Sequence, residues 1–376
     1  MPPLSLYIHF PWCIQKCPYC DFNSHAVKNG IPEIQYIEAL LADLEADLAL
    51  LPTSRPIHSI FMGGGTPSLF SAESLHALLK GVKQRVVLTQ DCEITLEANP
   101  GTFESAKFKA FRALGINRLS IGIQSFNDKH LKKLGRVHNA EEALKAVEIA
   151  DKAGFDNLNL DLMFGLPEQT EAEALADVHK AIALKPSHIS FYQLTLEPNT
   201  YFYKFPPKLP EDESIYAMQK ACQALLAEHG YPQYEISAYA QADFQCRHNR
   251  NYWQFGDYLG IGAGAHGKIS LALPNKIIRT AKTKHPEQYL SQGVISTREA
   301  ISLQQLPLEF MMNHLRLKTG FNLCDFQAFT GLPPERLEPA LTHCFEQGLL
   351  IKQEQQIICS EKGWDFLDEI LEKFIP

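Results

Sequence analysis

Six short runs of apolar and β-branched residues punctuate the first two hundred positions. Longer stretches with apolar residues three and four apart separate them. Residues 5–9, 59–62, 93–98, 118–123, 157–163 and 188–195 predict strands, and 33–50, 71–86, 102–113, 139–153 and 171–184 predict helices. Strict strand–helix alternation implies a parallel sheet covered by helices. Six such units predict an α/β fold of the partial or full (β/α) barrel kind rather than an open doubly wound sheet. Parallel barrels place their sites at the C-terminal ends of the strands.

The pattern then changes. Residues 201–210 are rich in aromatics and prolines and read as an irregular crossing, and 214–229 read as a further helix. From Tyr234 to Arg298 the chain is rich in glycine and aromatics, without a long period. From Leu303 it reads as a helix over 308–317, a helix over 323–330, a Gly-Leu-Pro-Pro turn and a helix over 335–347. A hairpin over 349–360 and a last helix follow. That succession is winged-helix-like. The expected division is therefore 1–235 for the β/α part, 236–300 for a connecting segment and 301–376 for the C-terminal domain.

Composition narrows the function. The chain has 376 residues, a net charge of -8, 45% hydrophobic and 21% charged residues, as expected of a soluble globular protein. No global basic field is present to hold nucleic acid, and the stretch 334–347, the would-be recognition helix, carries one arginine and no lysine. No run approaches the ~18 apolar residues of a membrane span, and the first residues lack the basic and long apolar regions of a secretory signal. Nine cysteines in such a chain fit a reducing cytoplasm.

Three of them form Cys13-Ile-Gln-Lys-Cys17-Pro-Tyr-Cys20, a C-x3-C-x2-C pattern. Three thiolates on one tight loop can hold three irons of a [4Fe–4S] cluster and leave the fourth iron open to a small molecule. Zinc remains open, with His9 or His25 as further ligand, although the spacing is not that of paired C-x2-C ribbons. The remaining six cysteines are scattered and read as small buried residues.

Other candidates end predicted strands. Gly63-Gly64-Gly65-Thr66-Pro67 follows 59–62 directly and reads as a tight turn or as backbone exposed to a ligand. Glu97, Gln124 and Asp161 end later strands, and Arg136 lies beyond the fourth. Carboxylates there can hold ribose hydroxyls or an amino group, and an arginine can neutralise a carboxylate. Singly each is equally a structural polar group. A second glycine run, Gly260-Ile-Gly-Ala-Gly-Ala-His266-Gly267, reads as a flap over the site or a buried turn. In His248-Asn249-Arg250-Asn251-Tyr252-Trp253, the imidazole can ligate haem iron, Tyr252 and Trp253 can stack on a porphyrin, and Arg247 and Arg250 can pair with propionates.

Taken together, these motifs resemble radical S-adenosylmethionine (radical SAM) enzymes. The resemblance runs through Tyr7–Phe22, Gly63–Pro67, Leu96–Pro100, Gly122–Phe126 and Asp161–Pro167, most of the first 200 residues. The branch is that of oxygen-independent coproporphyrinogen III oxidase, and within it the chain is most similar to the haem chaperones. The oxidase has a further cysteine two positions past the third ligand, where this chain has Phe22, and a long segment before the cluster motif, where here Cys13 comes almost at once. The sequence His248 to Trp253 resembles the chaperones' haem-binding motif H-N-x-x-Y-W.

The resemblance implies a [4Fe–4S] cluster on Cys13, Cys17 and Cys20, with SAM chelating the open iron. It implies that Gly64, Gly65 and Thr66 contact the methionine part, that Glu97, Gln124, Arg136 and Asp161 hold the rest, and that Tyr7 and Tyr19 lie beside it. It implies haem on His248, with His266, His138 and His314 as alternative or second ligands. It further implies an electron donor and acceptor haem proteins, including respiratory enzymes at the membrane. A homodimer and transient membrane association stay open. The alternative function is oxidative decarboxylation of coproporphyrinogen III.

Overall fold

Strand Leu4–Phe10 is buried along almost its whole length, Leu4, Leu6, Ile8 and Phe10 completely or nearly so. A strand buried on both faces belongs inside a parallel sheet covered on both sides. The computed structural model, which describes residues 1–28, 30–102, 105–271, 276–293 and 296–376, places it there. Leu4–Phe10, Ile57–Gly64, Leu88–Ala98, Arg118–Gln124, Asn157–Phe164 and His188–Gln193 lie side by side in chain order, each parallel to the next. Helices Glu33–Leu48, Ala72–Arg85, Ser105–Ala113, Ala140–Lys152 and Glu171–Ala183 make the returns. Residues 103 and 104 of the expected helix 102–113 lie outside the described residues. Asn139 and Thr170 close capping boxes with Glu142 and Glu173, which fixes where two of these helices begin. A short helix, Asp128–Lys133, was not anticipated.

The sheet extends to twelve strands. Antiparallel Ala238–Ala240 and Gln233–Glu235 follow the sixth strand. On the other side, Asp257–Ile261 pairs parallel with Leu4–Phe10, and antiparallel His266–Ser270, Ile277–Lys282 and Ser296–Ala300 complete the row. The stretch that lacked a period in sequence thus supplies these four strands as well as Ala238–Ala240. Two of them carry buried lysines. Lys268 Nζ bonds the carbonyls of Phe255 (2.9 Å) and Gly256 (3.1 Å) and pairs with Asp257 at 3.3 Å. Lys282 pairs with Asp43 at 2.5 Å and Asp47 at 2.6 Å, while Tyr289 and the Gly262 N–H also donate to Asp43. These contacts tie the added strands to helix Glu33–Leu48.

A second core gathers Leu306, Phe310, Phe326, Leu341, Leu350 and Ile370. Helices Leu306–His314 and Leu323–Thr330 and the hairpin Leu350–Gln353 with Gln356–Cys359 agree with the sequence pattern. The expected continuous helix 335–347 is instead a 3-10 turn, Pro334–Leu337, and a helix, Ala340–Glu346. Pro339 has no N–H to continue a ladder and its ring blocks the preceding turn. Two short helices, Glu361–Asp365 and Leu367–Glu372, end the chain. Phe255 packs on Phe310 at 5.7 Å and Arg316 lies 4.2 Å over the Trp253 ring, joining this core to the sheet. Among the described residues no helix is long and apolar enough to cross a membrane.

Candidate functional site

The cysteine loop leaves the C-terminal end of the first strand. Its start is pinned by the short pair Trp12–Cys13 with His25–Ala26, and Cys17 to Cys20 closes a turn with a 3.2 Å backbone bond. All three thiols are half-buried in the wall of one cavity, and each has its own hydrogen-bonding partner from a different place. Thr66 Oγ1 donates to Cys13 Sγ at 3.5 Å, Arg136 Nη1 donates to Cys17 Sγ at 3.6 Å, and Ser24 Oγ lies 3.7 Å from Cys20 Sγ. Burial pushes the Cys13 and Cys20 thiols above their ordinary value, against those hydrogen bonds. Among the described residues no three His, Cys, Asp or Glu side chains converge as ligands of a single metal ion.

Behind the sulfurs runs a polar chain. Asn99 Nδ2 donates to Thr66 Oγ1 at 2.8 Å, and Arg136 Nη2 donates to Asn99 Oδ1 at 2.5 Å and to the Gly122 carbonyl at 2.7 Å. Thr66, Asn99 and Arg136 therefore connect Cys13 to Cys17 without a break. Asn99 was missed in sequence because Asn before Pro100 reads as turn chemistry.

The glycines have a steric cause. The loop they form lies against the cysteine segment, with Gly65 N–H on the Phe10 carbonyl at 2.7 Å and Thr66 N–H on that of Trp12 at 2.8 Å. Gly64 has φ +103°, and a Cβ there would stand 2.3 Å from the His9 ring. Gly64 and Gly65 line the cavity, whereas Thr66 is buried beneath it.

The other strand-end residues converge on the same cavity. Glu97, Gln124, Arg136, Asp161 and Tyr19 all line it. Glu97 accepts the Gly64 N–H at 3.0 Å, and burial, with the Asp161 charge behind it, pushes its carboxyl up to about 8. Asp161 is also raised by burial, opposed by hydrogen bonds from Asn159 (2.8 Å) and Ser120 (3.2 Å). Gln124 sits at φ +69°, a costly conformation for a residue with a side chain, where the pairing with the fifth strand slips; Tyr192 donates to its Oε1 at 2.7 Å.

A larger cavity of about 830 Å³ adjoins the first and shares Gly64, Glu97, Phe22 and Ser24 with it. Its size falls in the ~300–1,000 Å³ range of ligand pockets. Tyr7 lies here rather than among the cysteines, 2.9 Å from His9 Nδ1 through its hydroxyl. Helix Arg247–Trp253 supplies one wall. Its first N–H groups, those of Arg247 and His248, donate to the buried Glu93 carboxylate at 3.2 and 3.1 Å. His248 Nδ1 lies 3.2 Å from Ser59 Oγ, and burial pushes the imidazole down to about 3, so the ring is neutral. His248, Asn249, Tyr252 and Trp253 line the cavity; Arg250 and Asn251 do not. Asn251 is buried behind the helix, bonding Ser5 Oγ and the Asp257 carbonyl, both at 2.9 Å.

Several sequence candidates stand elsewhere. Arg247 is outside the cavity and bonds Asp91. His138 is buried at the Ile123 carbonyl, 3.1 Å, and His314 is stacked on Phe310 at 4.1 Å in the second core. His266 does line the cavity. The second glycine run is a buried turn: Ala263 N–H donates to Tyr36 at 3.0 Å, its carbonyl accepts from Asn23 at 2.8 Å, and only Gly264 and His266 reach the cavity.

Residues 7–181 match the radical SAM superfamily model and residues 301–366 the HemN C-terminal domain model. The heme chaperone HemW of Haemophilus influenzae is 51% identical over 378 residues, covering 100% of this chain and 98% of that protein. HemW of Escherichia coli is 47% identical, covering 100% and 99%. The bovine mitochondrial radical S-adenosyl methionine domain-containing protein 1 is 34% identical, covering 98% and 86%. Among solved structures, coproporphyrinogen III oxidase (HemN) from Escherichia coli superposes with a TM-score of 0.83 at 22% identity, covering 100% of this chain and 90% of that one.

Proposed function

Since the chain belongs to the radical SAM superfamily, and within it to the family of the heme chaperone HemW, we propose that it carries haem beside a [4Fe–4S]–SAM site and delivers it to acceptor haem proteins. Cys13, Cys17 and Cys20 hold the cluster in this reading. The fit rests on an all-sulfur donor set in which each sulfur has a hydrogen-bonding partner, the second shell that tunes such centres. When bound, the reduced cluster supplies an electron to SAM.

The chain's own residues position the ligand. Gly64 and Gly65 leave room for the methionine part above Thr66. Glu97, Gln124, Arg136 and Asp161 hold the rest of the ligand, with Tyr19 beside them, while Tyr7 lines the larger cavity. Haem occupies the larger cavity with His248 as iron ligand, neutral imidazole being the ligating form.

The observation that carries this reading is the register of helix Arg247–Trp253. The four defining positions of the haem motif face the larger cavity, and the two free positions do not. The proposed frame is a partial (β/α)6 barrel over 1–235, a haem-bearing segment over 236–300 and a winged-helix-like domain over 301–376, working in the cytoplasm without nucleic acid. Acceptors include membrane-bound respiratory enzymes, and an electron donor reduces the cluster. The oxidase reading is disfavoured by Phe22, whose exposed side chain lines both cavities where the oxidase has a cysteine.

The test is an anaerobic comparison of the reconstituted protein given haem, or coproporphyrinogen III with SAM and reductant. Stable haem uptake lost in His248→Ala, with no protoporphyrinogen formed, is expected. Turnover of the porphyrinogen would overturn the proposal.

A further inference from the structure

The larger cavity has a second distinctive border, away from His248. Lys16, Lys284, His9, His25 and His266 all line it, with Asp21 and the wall residue Glu97 as the opposing carboxyls. Lys16 through its ammonium and Lys284 through its backbone contact adjacent residues of the cysteine loop. Lys16 Nζ donates to the Phe22 carbonyl at 3.1 Å, and the Lys284 carbonyl accepts from Asn23 Nδ2 at 2.8 Å. Both side chains are exposed. From His248 this border lies two ring contacts away, 6.3 Å to Tyr7 and 5.9 Å from Tyr7 to His9, whose Nε2 is 2.8 Å from the Asn23 carbonyl. The arginines beside the haem motif cannot serve this end: Arg247 is engaged by Asp91, and neither Arg247 nor Arg250 lines the cavity.

A porphyrin with two propionates is flat and apolar with two carboxylates on one edge. Placed with its metal at His248, it needs cations roughly a macrocycle's radius away. We propose that Lys16 and Lys284 form the carboxylate anchor of this cavity, orienting a dicarboxylate tetrapyrrole with its propionate edge toward the cysteine loop. This rests on the haem reading above and deepens it. The electrostatics agree: after burial, Lys284 depresses His266, and after burial and His285, Lys16 depresses His25. Lys16 stands between Cys13 and Cys17, so a carboxylate on its ammonium touches the same loop that carries the sulfurs.

The test uses the reconstituted full chain and two ligands, haem and its dimethyl ester, titrated anaerobically against wild type, Lys284→Gln, Lys16→Gln and His248→Ala. Wild type is expected to bind haem more tightly than the ester. Each lysine variant should lose roughly 2- to 5-fold in haem affinity and almost nothing for the ester, the scale of exposed ion pairs. Lys284→Gln lies outside the cysteine loop and separates anchoring from cluster loading. Equal binding of the two ligands by wild type, or equal losses for both in the lysine variants, would overturn the anchor. If His248→Ala changes neither affinity, the axial-ligand reading falls, while a haem preference lost in Lys284→Gln would still uphold the anchor.

Discussion

Glu97 stands in the wall between the two cavities, and its carboxyl is held up to about 8 against an ordinary 4.5, first by burial and then by the Asp161 charge. Its folded form therefore binds a proton that the unfolded chain has already lost. The stability this group contributes is complete below about pH 4.5 and falls as pH rises through 8. At ~1.4 kcal/mol per pKa unit the full shift is worth about 5 kcal/mol. The carboxyl borders both cavities, so a discounted loss of about 3 kcal/mol between pH 5 and 8 is expected. Glu97→Gln keeps an oxygen for the Gly64 N–H, 3.0 Å away in the wild type, and cannot ionise. Urea unfolding of the apo protein at pH 5 and pH 8 should show the wild type losing that much more than the variant. Parallel pH dependences in the two proteins would refute the reasoning.

Asn99→Leu breaks the bridge between Thr66 and Arg136 and should lower stability by about 2 kcal/mol. In the apo protein it should also speed alkylation of Cys13 and Cys17, and unchanged rates would count against the bridge. Lys282→Met leaves Asp43 and Asp47 buried without their cation, and an unfolding free energy lower by about 3–5 kcal/mol is expected; a loss below 1 kcal/mol, on the scale of an exposed pair, would show that the cluster is not load-sharing. Cys17→Ser should abolish iron–sulfur absorbance after anaerobic reconstitution while far-ultraviolet circular dichroism stays that of the wild type. Full iron content in that variant would remove Cys17 from the ligand set.

The β/α framework was legible because each of its six strands holds a short, mostly buried run and five helices of clear period separate them. Strands Asp257–Ile261 to Ser296–Ala300 were not, because they are short, glycine interrupts the first two, and two of them bury a lysine, Lys268 on Asp257 and Lys282 on Asp43 and Asp47. Pro339 was visible, yet a pattern summed over 335–347 overrode it. At the site, type and spacing singled out the cysteines and strand-end residues and the family resemblance added Tyr7 and Tyr19; ten of the thirteen named residues line one cavity. Thr66 lies under that cavity, while Tyr7 and His248 line its neighbour. Asn99 and Ser24 stayed hidden because their part is played through Thr66, Arg136 and Cys20, and spacing along the chain carries no trace of it. Arg247 was misjudged for the converse reason, since only the fold brings Asp91 to it.

The most direct measurement is electron paramagnetic resonance of the anaerobically reconstituted, reduced protein before and after SAM is added. A spectrum of one [4Fe–4S]⁺ centre per chain whose g-values move on adding SAM is expected, because one iron lacks a protein ligand. A centre indifferent to SAM, or a loop filled by zinc with no cluster signal, would contradict the account.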